Sequence, residues 1–171
     1  MDGGESLTTA RHPPHSGSKL PHSKVTVASR RRRTGIRVTD VRHDAAQLLR
    51  LLELDAELSV VLVDDAEMRT LNATYRHIDR PTDVLAFAMR EGDGGGLHPE
   101  VLGDIAISVE TAARQAAARG AAVADEVRVL LTHGLLHLVG YDHERSPAEA
   151  RRMFGRQRAL LRGLAAGAAR R

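Results

Sequence analysis

Apolar positions along this chain recur at two spacings, every second residue in some stretches and every third or fourth in others, and the changes between them mark out the elements. Val25-Thr26-Val27 opens the pattern as a short β-branched strand. From Asp40, placed to cap a helix, Val41, Ala45, Leu48, Leu49 and Leu52 form a stripe that predicts a helix through about Leu54. Glu57 to Val63 reads as a buried strand ending at Asp64-Asp65, and a second helix follows with Met68, Leu71 and Tyr75 turned inward. Val84 to Met89 and Leu102 to Ser108 are two further strands, and the alanine-rich segment 110–119 is helical up to Gly120. Ala124 to Val139 is apolar on nearly every side, through Val127, Leu130, Leu131, Leu135, Leu136 and Leu138, as expected for a helix packed centrally against a sheet. Ser146-Pro147-Ala148-Glu149 is a capping box with proline at the first helical position. The helix it opens has Met153, Phe154, Leu160, Leu161 and Leu164 on one side and Arg151, Arg152, Arg156, Arg158 and Arg162 on the other.

Four strands interleaved with five helices make an α/β chain, and 171 residues suffice for one full core without a second domain. Residues 1–23 are rich in Gly, Ser, Pro and His and lack any apolar period, so they are expected to be a disordered extension. The folded domain is then 24–165, with 166–171 a disordered tail. His12, His15 and His22 lie in the extension, where nothing fixes their geometry. Residues 91–99, with Gly92, Gly94, Gly95, Gly96 and Pro99, form a flexible connection; they lack the Gly-Lys-Ser/Thr ending of a phosphate-binding loop.

Composition narrows the chemistry. With no cysteine there are no disulfides, thiolate metal sites or cysteine nucleophiles, so histidine has to supply metal ligands. No apolar run approaches the ~20 residues of a membrane span, and the first residues lack the apolar segment of a secretory signal, so a cytoplasmic location is expected. The formal net charge of +3 is unevenly spread: residues 1–33 carry seven basic and two acidic side chains, 145–171 carry eight arginines and one glutamate, and 34–144 carry ten arginines against 19 carboxylates. The basic ends can grip a polyanion such as RNA by counterion release, or can simply be solvated surface. Two tyrosines, two phenylalanines and no tryptophan leave few platforms for base stacking.

The densest chemical signal is His133-Gly134-Leu135-Leu136-His137-Leu138-Val139-Gly140-Tyr141-Asp142-His143. On a helix His133 and His137 share one face and can point at a common centre. Gly140 can adopt a left-handed conformation, end the helix and let the chain fold back with His143 as a third ligand. Three protein ligands with a fourth position open are the arrangement of a catalytic rather than a structural zinc site, although three nitrogens also accommodate nickel, copper or iron. The spacing is that of metzincin proteases, except that Gly134 stands where those enzymes carry the glutamate base. Asp142 is either a proton acceptor or a residue that orients the loop. Arg76, in a polar stretch before a strand, either contacts a phosphate or bridges nearby aspartates. Asp104, an acid within an apolar strand, is either a buried structural acceptor or a partner of a metal-bound histidine.

Four stretches, Leu71-Asn72 to Tyr75-Arg76, Asp79 to Phe87, Leu102-Gly103-Asp104-Ile105 and His133 through His143, together resemble the YbeY family of rRNA maturation factors. The resemblance implies a single zincin-like α/β (α+β) domain, with a small mixed four-stranded sheet, about five helices and the metal-binding helix at its centre. It also implies a single-strand-specific endoribonuclease using one Zn2+ per chain, acting in 16S rRNA 3′-end processing and ribosome quality control. His133, His137 and His143 become the metal ligands, and Arg76 and His133 the residues on which cleavage depends. The implied partners are precursor rRNA and candidate ribosomal or small-subunit proteins, with neither membrane nor DNA. Ala86 and Ala88 depart from the family, which usually has serine and proline in that stretch. The alternatives are a non-catalytic, metal-stabilised ribosome-assembly factor and a metal-dependent hydrolase of other substrates.

Overall fold

The computed structural model describes residues 23–30, 35–89 and 100–168. The extension with His12, His15 and His22, the arginines 31–33, the glycine-rich connection and residues 169–171 lie outside the described residues. In chain order the elements are β1 (Lys24–Ser29), α1 (Val38–Leu51), β2 (Glu57–Val63), α2 (Asp65–Arg76), β3 (Val84–Ala88), β4 (Val101–Ser108), α3 (Val109–Arg119), α4 (Val123–Leu138) and α5 (Pro147–Ala168). The sheet order is β1-β2-β4-β3; the first three strands run parallel and β3 is the antiparallel edge.

Alternation along the strands divides the interior into two layers. Leu58, Val60 and Leu62 of β2 and Ile105 and Ile107 of β4 join the main core with Leu48, Leu49, Leu131, Leu135 and Leu160. The opposite face is thinner: α2 covers it with Met68 and Leu71 over Val63, Leu85 and Ala106. The cover stops short of Asp104. That residue shares the α2 face of β4 with Ala106 but is exposed, so it is neither a buried acceptor nor a partner of the histidines.

Other boundaries move for local reasons. Arg37, not Asp40, is the N-cap residue of α1; Asp40 sits in the first turn and accepts a 2.8 Å hydrogen bond from Arg37 Nε. The helix ends at Leu51, before the left-handed Glu53. At the other terminus α5 continues to Ala168, three residues past the expected boundary at 165. Tertiary contact extends it: Gly163 and Gly167 present bare backbone to Leu51 and Gln47 of α1, where an added Cβ would come within 2.9 and 3.0 Å.

Two features pin the layers together. Asp65, at the start of α2, accepts hydrogen bonds from the hydroxyls of Ser108 and Thr111 and is ion-paired to Arg114, tying α2 to the start of α3. Gly103 in β4 has φ +149°, and a Cβ there would lie 2.2 Å from the Phe87 carbonyl oxygen and 3.1 Å from Leu138 Cδ2.

Gly103→Ala is therefore expected to cost roughly 3 kcal/mol or more, by forcing both strain and overpacking, which urea unfolding measures. For Asp65, burial pulls the carboxyl pKa up, but the hydrogen bonds from Ser108, Thr111 and Arg114 outweigh it and hold the group below its usual 3.8. A depressed carboxyl stabilises the fold above its unfolded pKa and loses that contribution as pH falls through the folded value. Asp65→Asn is thus expected to lower stability by about 1–2 kcal/mol at neutral pH. Its unfolding free energy should also fall less steeply than that of the parent as pH drops below 3.8.

Candidate metal centre

His133 and His137 stand on α4 because four residues of helix bring them to one face. The turn that follows is closed by Gly140 N–H to His137 O and Tyr141 N–H to Leu136 O, both 3.0 Å, with Gly140 at φ +90° as its residue type allows. Asp142 then accepts from Glu144 N–H at 2.8 Å and from Arg145 Nε at 3.2 Å, shaping the loop that returns His143. The ring centroids lie 4.8 Å apart for His133–His137, 5.1 Å for His133–His143 and 5.2 Å for His137–His143.

One ligand nitrogen from each ring lies within 4.8 Å of the others, and His133 Nε2 is 3.1 Å from His137 Nε2. Metal–nitrogen bonds of 2.0–2.1 Å in a tetrahedron place ligand nitrogens about 3.3 Å apart, so the three half-buried histidines suit one metal ion. Burial lowers the His137 pKa, and the neighbouring His133 and His143 lower it further against an opposing pull from Asp142. That keeps the ring neutral and its lone pair available. Asp142 has a lowered pKa, chiefly from the Glu144 N–H, and its carboxylate ties the loop through the bonds from Glu144 and Arg145.

Arg76 ends α2 and opens onto the same cleft, of about 420 Å³, as the three histidines. Asn72, buried in α2, donates to Arg80 O at 2.8 Å and secures the chain that leads away from Arg76. The aspartates near Arg76 in the sequence, Asp79 and Asp83, are engaged elsewhere. Arg69 holds Asp79 through two bonds of 2.6 and 2.7 Å, and Asp83 accepts from Val84 N–H and Gln115 Nε2. Among the described residues no hydrogen bond or ion pair holds the Arg76 guanidinium, which is exposed. Val84 and Ala86 form the β3 wall of the cleft, and Ala88 lines a neighbouring cavity with Arg76 and His137.

Gly134 is buried where α4 crosses the sheet, and a Cβ there would lie 3.1 Å from both Val84 Cγ2 and Ile105 Cγ2. The position of the protease glutamate is packed against β3 and β4. Sequence reasoning missed two residues of α5. Gln157 Oε1 lies 3.0 Å from His133 Nδ1, and Phe154, grouped in the sequence with the apolar side of the helix, is 40% exposed and stacks on His143 at 5.6 Å. The three-residue spacing between them was the available signal, obscured by the arginines on either side of Gln157.

Among the described residues no helix is long and apolar enough to cross a membrane. The family model described as "Endoribonuclease YbeY" matches residues 26–165. A relative of that name from Geobacter metallireducens is 48% identical over 140 residues, covering 81% of this chain and 93% of its own. Another, from Aquifex aeolicus, is 42% identical over 138 residues, covering 80% and 89%. A solution structure of a Thermotoga maritima protein superposes with a TM-score of 0.58 at 25% identity, covering 83% of this chain and 88% of that one. The histidine cluster, the fold that carries it and the match over most of the length agree, and the chain belongs to the YbeY endoribonuclease family.

Proposed function

We propose that this chain is a zinc-dependent, single-strand-specific endoribonuclease of the cytoplasm, acting in rRNA maturation, including 16S rRNA 3′-end processing, and in ribosome quality control. His133, His137 and His143 are its metal ligands, and Arg76 meets the scissile phosphate. The observation that carries this reading is the shared cleft, onto which three convergent imidazoles and an unpaired guanidinium both open. His133, His137 and His143 would hold the zinc, and its chemistry there would be to lower the pKa of a water toward ~7 or to polarise a phosphoryl oxygen.

The chain's own residues do the rest. Arg76 offers paired donors in a plane, suited to two oxygens of one phosphate, and stabilises the negative charge that grows there during strand cleavage. Burial and the neighbouring histidines favour the neutral form of His137, the form that can ligate a metal. Asp142 holds the returning loop in place. Arg151, Arg152, Arg156, Arg158 and Arg162 are exposed along α5 and supply phosphate contacts for RNA or ribosomal partners. A peptidase reading fails at Gly134, which carries no side chain at the helical position where the protease glutamate stands.

Cleavage of single-stranded and duplex RNA by purified protein tests the assignment. His133→Ala is expected to lose both bound zinc and cleavage. Arg76→Ala should keep zinc, measured by elemental analysis, while cleavage falls by about 100-fold or more. Undiminished cleavage by both variants overturns the reading. Retained rRNA maturation by a zinc-bound, cleavage-dead Arg76→Ala would favour the assembly-factor alternative. Gly134→Glu should give no peptidase activity and lower the thermal midpoint, because the side chain has to enter between Val84 and Ile105.

A further inference from the structure

The two nitrogens of His133 have different neighbours. Nε2 faces His137 Nε2 at 3.1 Å, whereas Nδ1 faces Gln157 Oε1 at 3.0 Å, across 24 residues of chain. A neutral imidazole has one N–H and one lone pair, and the partner of one nitrogen decides which it carries. An amide oxygen accepts, so it places the proton on Nδ1 and leaves the Nε2 lone pair directed at the space shared with His137 and His143. Phe154, three residues before Gln157 and on the same side of α5, lies nearly parallel to the His143 ring at 25° and to the His133 ring at 24°. α5 thus meets the metal cluster through one polar and one aromatic side chain.

We propose that Gln157 is a positioning residue of the metal centre, whose side-chain oxygen holds His133 as the Nδ1–H tautomer and fixes the ring so that Nε2 is the ligand nitrogen. The assignment rests on the three-histidine reading above. Nothing in the histidine spacing requires it, since the partner stands on another helix. The usual partners of a metal-bound histidine are a carboxylate, a backbone carbonyl or water. A side-chain amide differs from a carboxylate in one respect: it has two faces. Turned over, its NH2 donates to Nδ1, moves the proton to Nε2 and closes the ligand position. Glutamate, of the same length, only accepts when ionised. Gln157→Glu therefore preserves the useful contact and removes the unproductive one, while Gln157→Leu keeps the bulk and removes both.

The experiment reads zinc binding and proton position, not RNA cleavage. Long-range 1H–15N correlation of the metal-free full chain is expected to show His133 protonated on Nδ1 when the ring is neutral. In competition with a chromophoric chelator, Gln157→Leu should bind zinc about 10–100-fold more weakly, with an unchanged metal-free thermal midpoint. Gln157→Glu should bind at least as tightly as the parent. Three results overturn the assignment: His133 protonated on Nε2 in the parent, unchanged zinc affinity in Gln157→Leu, or an equal loss in Gln157→Glu. Should the leucine variant not fold, the parent spectrum and the glutamate variant decide alone. Failure of the three-histidine reading itself is separate and shows as a parent chain that does not bind zinc.

Discussion

The approach of α4 to the sheet is the constraint on which the rest depends. Two glycines permit it, one on each side of the contact: Gly134 lets the helix backbone rest on Val84 and Ile105, and Gly103 leaves room beneath Leu138. With a methyl group at either place the helix lifts or the strands part, because interiors are packed too densely to absorb it. The histidines at 133 and 137 occupy the part of the same helix that is not pressed onto the sheet. Their direction is set by apolar packing on the far side of the helix, and polar contacts refine it afterwards.

Those polar contacts come from three separate places. α5 approaches from one side with Gln157 and Phe154, the returning loop is tied by Asp142, and α2 delivers Arg76 from across the edge strand. No single element contains the site. Its geometry therefore depends on the relative seating of helices, and the glycines of α5 that meet Leu51 and Gln47 belong to that seating although they lie far along the chain from the histidines.

Much of this was legible in the sequence because it is local. Periodicity marked four strands and five helices, and the all-round apolarity of α4 identified the central helix; both follow from spacing within one segment. Histidine spacing and Gly140 announced the cluster in the same way. What remained hidden was set by distant partners. Asp104 sits in an apolar strand, yet its exposure depends on where α2 ends its cover. The length of α5 was masked by an alanine and glycine ending whose small residues serve contact with α1. Gln157, a neutral amide among arginines, shows its purpose only once α5 lies against α4.

The third histidine comes from outside the helix, and that has a consequence for folding. His133 and His137 are already neighbours once α4 forms, so joining them closes little chain; joining either to His143 closes a turn that has to bend through a left-handed glycine. An ion held by all three would act as a cross-link across that turn, a closure that only the native state has already made. The free energy of unfolding would then rise with the logarithm of the free ion concentration above the dissociation constant, so the supply of metal in the surroundings would help set the fraction of chain that is folded.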